Sequence, residues 1–185
     1  MIVALPFPAT LQDLMKVEGK AELIGGRIVE SMPTGMIPNR IAKRIVRLID
    51  DFAEQLGLGE AFTDNLGYAV DPLLLSGRQS FSPDASYHAG PFPLNGMGFI
   101  EGPPTFAVEV RSENDYGRSA ETAMADKRAD YFEAGTLAVW DVDPIAKTIT
   151  SYTPTSSTVF RAGDLAHAKP ALPGWTLDVA ALFVN

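Results

Sequence analysis

Residues 105–112, TFAVEVRS, decide how this chain is read. Phe106, Val108 and Val110 alternate with Ala107, Glu109 and Arg111, a period of two that marks a β-strand apolar enough to lie inside a sheet. Glu109 therefore sets a carboxylate in an interior strand, where a charge is costly unless it is paired. Downstream, Ser119 reads as the cap of a helix over residues 120–134, with Glu121 near its positive end and Gly135 closing it. Ala120, Met124, Lys127 and Tyr131 share one face of that helix. Lys127 is thus directed at the sheet and needs an acidic neighbour.

Upstream, FSPDASY (81–87) alternates Phe81, Ala85 and Tyr87 with Ser82, Asp84 and Ser86, a second strand with Asp84 on its polar face. KAELIGGRIVES (20–31) reads as a β-hairpin, because Gly25-Gly26 accepts the positive φ of a two-residue turn. RIAKRIVRLIDDFAEQL (40–56) places Ile41, Ile45, Leu48, Ile49, Phe52 and Leu56 on one helical stripe ended by Gly57. Arg40, Lys43, Arg44 and Arg47 form a basic row on its other side, either a solvated face or a contact for nucleic-acid phosphates. Residues 60–71 read as a strand, 71–80 as a loop, and the Gly- and Pro-rich run 89–104 as a long surface connection. TLAVWDVD (136–143) and KTITSY (147–152) read as strands joined at Asp143-Pro144, followed by a loop-rich tail whose Trp175, Leu177, Leu182 and Phe183 pack back on the core.

The 185 residues suit one α/β domain, 1–185. With no cysteine, disulfides, thiolate nucleophiles and cysteine-ligated metals are excluded. His88 and His167 form no HExxH-like pair, and neither a GxSxG elbow nor a Walker A loop is present. Chemistry must then rest on carboxylates and lysine. A formal charge of −8 opposes nonspecific coating of nucleic acid, so any contact would need a local basic patch. The opening MIVALPFPAT lacks the basic start and long apolar core of a signal peptide, and no stretch is long and apolar enough to span a bilayer. A soluble, cytoplasmic protein is the expectation.

Asp84, Glu109 and Lys127 together could hold a hard cation and a water. Mg2+ or Mn2+ takes oxygen ligands and retains waters, so two carboxylates and a backbone carbonyl, that of Val110, would suffice, with Lys127 orienting or deprotonating the water. The same three residues also describe a plain buried salt bridge, the commoner arrangement for such spacing.

The ordered set AELIGGRIVESMPTG (21–35), SPDASY (82–87), GPPTFAVEVRSENDYG (102–117) and KRADYFEAGTLAVWDVDP (127–144) resembles the Uma-type restriction endonuclease family, from about Leu14 to Phe183. That family is similar to the PD-(D/E)XK superfamily. The resemblance implies a restriction-endonuclease-like core, a mixed β-sheet flanked by helices with an N-terminal β-hairpin, in which Asp84 is the PD acid and Glu109 the second acid. Arg111 stands where the superfamily's lysine follows that acid, and the resemblance moves the lysine to Lys127 on the next helix. Glu22 would be a third catalytic acid, or an exposed hairpin residue. Asp115 lies where relatives often carry an acid, and is equally a loop residue. Pro38 and Asn39 stand where relatives tend to have a histidine. The implied activity is metal-dependent hydrolysis of duplex DNA by a homodimer, one site per strand. Two alternatives stay open: a noncatalytic module binding nucleic acid or protein, and a hydrolase of small phosphate esters.

Overall fold

The computed structural model describes residues 8–70 and 73–184. A short helix α1 (Leu11–Leu14) precedes the hairpin β1 (Ala21–Ile24) and β2 (Arg27–Glu30). Gly25 and Gly26 take φ of 57° and 71°, as the two central residues of a type I′ turn require. Helix α2 (Met36–Leu56) leads to β3 (Glu60–Thr63), β4 (Tyr68–Ala69), β5 (Ser80–Phe81), β6 (Ala85–His88), β7 (Ile100–Glu101) and β8 (Phe106–Val110). Helix α3 (Arg118–Ala134) is followed by β9 (Ala138–Asp143), β10 (Thr148–Thr153), β11 (Ser156–Phe160), β12 (Leu165–His167), β13 (Thr176–Asp178) and α4 (Val179–Leu182).

The central sheet runs β11-β10-β9-β8-β6-β3. Its pairs are antiparallel except β8 with β9, and parallel neighbours need a crossover, which α3 supplies. Alternation along the strands gives this sheet two faces. Phe106, Val108, Trp140 and Val142 point to one, packed against Ile41, Ile45 and Ile49 of α2 and against Trp175 and Leu177. Ala107 and Val139 point to the other, packed against Tyr131 of α3 and against Tyr68 and Phe81 from the three-stranded sheet β5-β4-β7. Glu109 and Asp141, register partners on β8 and β9, share this second face by the same alternation.

Several elements depart from the sequence reading for identifiable reasons. Helix α2 begins at Met36 rather than residue 40, because Pro38 sits in the first turn, where its missing N–H has no helical partner to lose. Its buried stripe includes Ala42, Val46 and Ala53, while Leu48 and Leu56 are exposed. Helix α3 begins at Arg118 with Gly117 as its cap and no side-chain capping bond, so Ser119 lies inside the helix. The expected strand 60–71 is broken by a turn with Asn65 at φ 72°, and its two parts join different sheets; Asp71 lies outside the described residues. The polar face of 82–87 is not solvated: Ser82 and Ser86 are buried, and the Ser86 and Tyr68 hydroxyls lie 2.8 Å apart. The tail contains β11, β12, β13 and α4, elements of three to five residues, too short to show a clear period.

Removing the α2 contact should be costly only on its buried side. Ile45→Ala is expected to destabilise the protein by about 2–5 kcal/mol in urea titration, whereas exposed Arg47→Ala should change stability by less than about 0.5 kcal/mol.

Candidate active site

The crossover places α3 over the sheet face that carries Glu109, so Lys127 meets that acid directly. Its Nζ lies 2.9 Å from Glu109 Oε1 and 3.1 Å from Glu22 Oε1. The Tyr131 hydroxyl, one turn further along α3, donates to Glu109 Oε1 at 2.7 Å. Tyr131 is fixed in turn by stacking on Phe81, with ring centroids 4.2 Å apart. Asp84 enters from the segment before β6: its backbone N–H bonds Val108 O at 3.1 Å, and its Oδ2 accepts the Val110 N–H at 2.8 Å. The second bond fixes the carboxylate against β8.

Glu22 is buried rather than exposed. The hairpin is pinned over the site by Gln79 N–H to Leu23 O at 2.8 Å and by Leu23 N–H to Ser80 Oγ at 2.8 Å. Glu22 then accepts from the Ser82 N–H at 2.9 Å and from the Arg78 guanidinium, whose Nε also reaches Asp130 at 2.8 Å. Sequence reasoning missed Arg78, Asp130 and Lys20, whose Nζ lies 2.5 Å from Asp84 Oδ1. Arg78 sits in a stretch that reads as a loop, and nothing in its local pattern marks it for burial. Lys20 reads from the sequence only as the first residue of the hairpin segment.

The other sequence candidates lie elsewhere. Arg111 turns from the cluster to grip Asp141 through Nε at 2.8 Å and Nη2 at 2.7 Å, and it also pairs with Glu121. This two-pronged geometry commits it to a neighbouring ion pair. Asp115 accepts from Ser112 N–H and Oγ, both at 2.7 Å, as a local loop group. Arg40, Lys43, Arg44 and Arg47 belong to α2, on the sheet face opposite Glu109, and Arg44 bonds the carbonyl of Leu182 at 2.9 Å and also that of Val184. Pro38 and Asn39 occupy the first turn of α2.

Burial acts against every charged form here, and the outcome differs from group to group. Burial pulls Lys127 down, but the facing Glu109 and Glu22 carboxylates outweigh it and hold the ammonium above the ordinary lysine value. Burial likewise pushes Glu22 up, yet Lys127, Arg78 and the Ser82 N–H keep its carboxyl below the usual glutamate value. Glu109 moves the other way: burial, reinforced by the Asp84 and Glu22 charges, exceeds the pull of Lys127 and Lys20 and raises its pKa.

These donors fit a hard divalent cation. Asp84 and Glu109 offer carboxylate oxygens, and the Asp84 charge opposes ionisation of Glu109, a repulsion that a cation between them would relieve. Among the described residues no group of three or more His, Asp or Glu side chains forms a metal cage.

A parallel β8-α3-β9 unit inside a mixed sheet, with acids from two strands facing a helix lysine, defines a restriction-endonuclease-like α/β protein. The Uma2 family model, described as "Putative restriction endonuclease", matches residues 8–180, and the chain belongs to that family. A solved chain from Anabaena variabilis ATCC 29413, described as "a putative nuclease belonging to DUF820", is similar with a TM-score of 0.73 and 23% identity, over 95% of this chain and 98% of that one. At this identity the likeness speaks for the fold. No curated protein matches.

Opposite pKa shifts predict opposite acid responses. The lowered Glu22 contributes stability that is complete above its unfolded value near 4.5 and is lost as pH falls through the folded value. The raised Glu109 does the reverse, gaining stability as pH falls through its folded value toward 4.5. Denaturation midpoints measured across this range should therefore fall less steeply with acid in Glu22→Gln and more steeply in Glu109→Gln than in the wild type.

Proposed function

We propose that this protein is a divalent-metal-dependent endonuclease acting on duplex DNA, with Asp84, Glu109 and the Val110 carbonyl holding Mg2+ or Mn2+. The observation that carries the reading is the suspension of Lys127 between Glu109 and Glu22, with Asp84 bonded to the same strand as Glu109 through the Val110 N–H, in a chain of this family. When bound, such a cation lowers the pKa of its water and stabilises charge growing on a phosphoryl oxygen. Lys127 stays protonated, because two carboxylates face it. Its role is then to donate hydrogen bonds and positive charge to the attacking water and the phosphate, rather than to remove a proton. The bonds that Glu109 accepts from Lys127 and Tyr131 would hold its carboxylate in place as a ligand of the ion. Glu22 aligns Lys127 and compensates its charge when the phosphate arrives.

The basic row would act at a distance. Arg40, Lys43 and Arg47 remain available on α2 for phosphates of a duplex extending past the sheet edge, whereas Arg44 is engaged with the C-terminal segment. Two copies related by a two-fold axis would serve both strands.

One observation favours a noncatalytic module instead: Glu22, Asp84, Glu109 and Asp130 each already have a cationic partner, so the cluster is complete as an ion-pair network. Nicking of supercoiled plasmid separates the two readings. Cleavage that needs Mg2+ or Mn2+, disappears in Asp84→Ala and Glu109→Ala, and falls roughly 10²–10³-fold in Lys127→Met supports the nuclease. Metal-independent cleavage overturns the metal site assigned here, and no cleavage by the wild type with duplex binding retained supports the module. Cleavage of a nucleotide ester without plasmid nicking would point to small phosphate esters.

Phosphate contact by α2 has its own signature. Lys43→Ala and Arg47→Ala should each reduce the slope of log affinity against log salt by about 1 for a short duplex, with Asp51→Ala, on the same helix, as the control.

A further inference from the structure

We propose that Lys20 is the exchangeable counter-ion of this site: its ammonium holds Asp84 in the metal-free protein and leaves when a divalent cation takes that carboxylate. The inference rests on the metal reading above and concerns how the site loads.

Three features of Lys20 suit it to exchange. Lys127 bridges two carboxylates and Arg78 bridges Glu22 and Asp130, but Lys20 has one acidic partner, Asp84, among the described residues. Its ion pair is also more accessible than that of Arg78: the Lys20 and Asp84 side chains are 17% and 22% exposed, against 9% and 10% for Arg78 and Glu22, while Lys127 and Glu109, at 19% and 22%, match it and differ by the second carboxylate that holds Lys127. Breaking it incurs the smaller desolvation penalty, since water can solvate the released ammonium at once. Finally, the backbone of Lys20 is anchored independently, its carbonyl accepting the Ser31 N–H at 2.8 Å, so the side chain can swing on its four-carbon stem without moving the hairpin.

Charge balance points the same way. In the cluster, four carboxylates face three cations: Lys20, Lys127 and Arg78. With Lys20 withdrawn, the unmatched charge is that of two carboxylates, which one divalent ion neutralises. Asp84 need not move, because its Oδ2 stays fixed by the Val110 N–H while the Oδ1 that Lys20 occupied is freed. A divalent ion engaging both Asp84 and Glu109 attracts Asp84 more strongly than one ammonium does, so exchange is favourable once the ion is abundant.

The test begins with the wild-type protein. Amine acylation quantified by peptide mass spectrometry should proceed several-fold faster at Lys20 in saturating Mg2+ than without it, while the exposed reference Lys16 is unchanged. In parallel, Mn2+ binding followed by electron paramagnetic resonance should be roughly fivefold tighter in Lys20→Met than in wild type, close to wild type in Lys20→Arg, and lost in Asp84→Asn. Binding that is lost in Asp84→Asn but equal in wild type and Lys20→Met, with Lys20 labelling insensitive to Mg2+, overturns the exchange while leaving the metal reading intact. If wild type and Asp84→Asn alike bind no Mn2+, the metal reading falls and the exchange falls with it. Should Lys20→Met fail to fold, the labelling result decides alone.

Discussion

The ammonium of Lys127 holds together three segments that are distant in the chain: the hairpin through Glu22, the interior strand through Glu109, and helix α3, which carries it. Neither carboxylate could remain charged in this partly enclosed space without a cation, and the cation could not be buried without them. Helix α3 buries only Asp130 and Tyr131 fully, so it is held to the sheet less by apolar area than by this pairing, by Asp130 on Arg78 and by Tyr131 stacked on Phe81. The crossover that makes β8 and β9 parallel is therefore also what completes the polar cluster. Fold and site share one set of bonds.

Such a cluster is demanding because every member must be satisfied together. Arg78 illustrates the requirement: its guanidinium reaches Glu22 and Asp130 and lies 5.2 Å over the Phe81 ring. Withdrawing one acid would leave its partner charged and half-desolvated, which typically costs more than the pair contributed. Beside it, Asp141 is matched separately by Arg111 and approached by Arg128 at 3.8 Å, although it is the register partner of Glu109. Two strand acids on neighbouring strands thus have separate cations. The Asp141 charge, locally neutralised, adds less to the repulsion at Glu109 than an unpaired acid there would.

What the sequence could convey depended on how local each signal was. Glu109 and Lys127 were legible because periodicity fixes the direction of a side chain on a regular strand or helix, and the two periodicities converged. Asp84 was legible as an acid beside a strand, although the bond from Val110 that orients it was not. Glu22 stayed ambiguous because a hairpin does not reveal what it lies against, and here the docking runs through Gln79 and Ser80, far along the chain. Lys20 and Arg78 were invisible for a related reason: each pairs with an acid more than fifty positions away, Lys20 at |i−j| of 64 and Arg78 at 56. The basic row of α2 was legible as a row, but the side of the sheet on which it would lie depended on a topology that helix periodicity does not contain. Arg44 is engaged by carbonyls of a tail whose short strands and helix carry little alternation.

The charges themselves bear on whether the cluster is a brace or a reaction centre. A purely structural network gains most when each acid is stabilised in its ionised form, as Glu22 is. Glu109 departs from that pattern: it is held above the usual value even though an ammonium and a phenol both contact it, because burial and the neighbouring Asp84 outweigh them. A carboxylate placed where its ionisation is opposed weakens the fold by the same free energy that raises its pKa. Such positions are common where an acid must exchange a proton or receive a metal, since either event removes the opposition. At Glu109 that opposition comes first from burial and then from the charges of Asp84 and Glu22, and positive charge added between Asp84 and Glu109 would offset it.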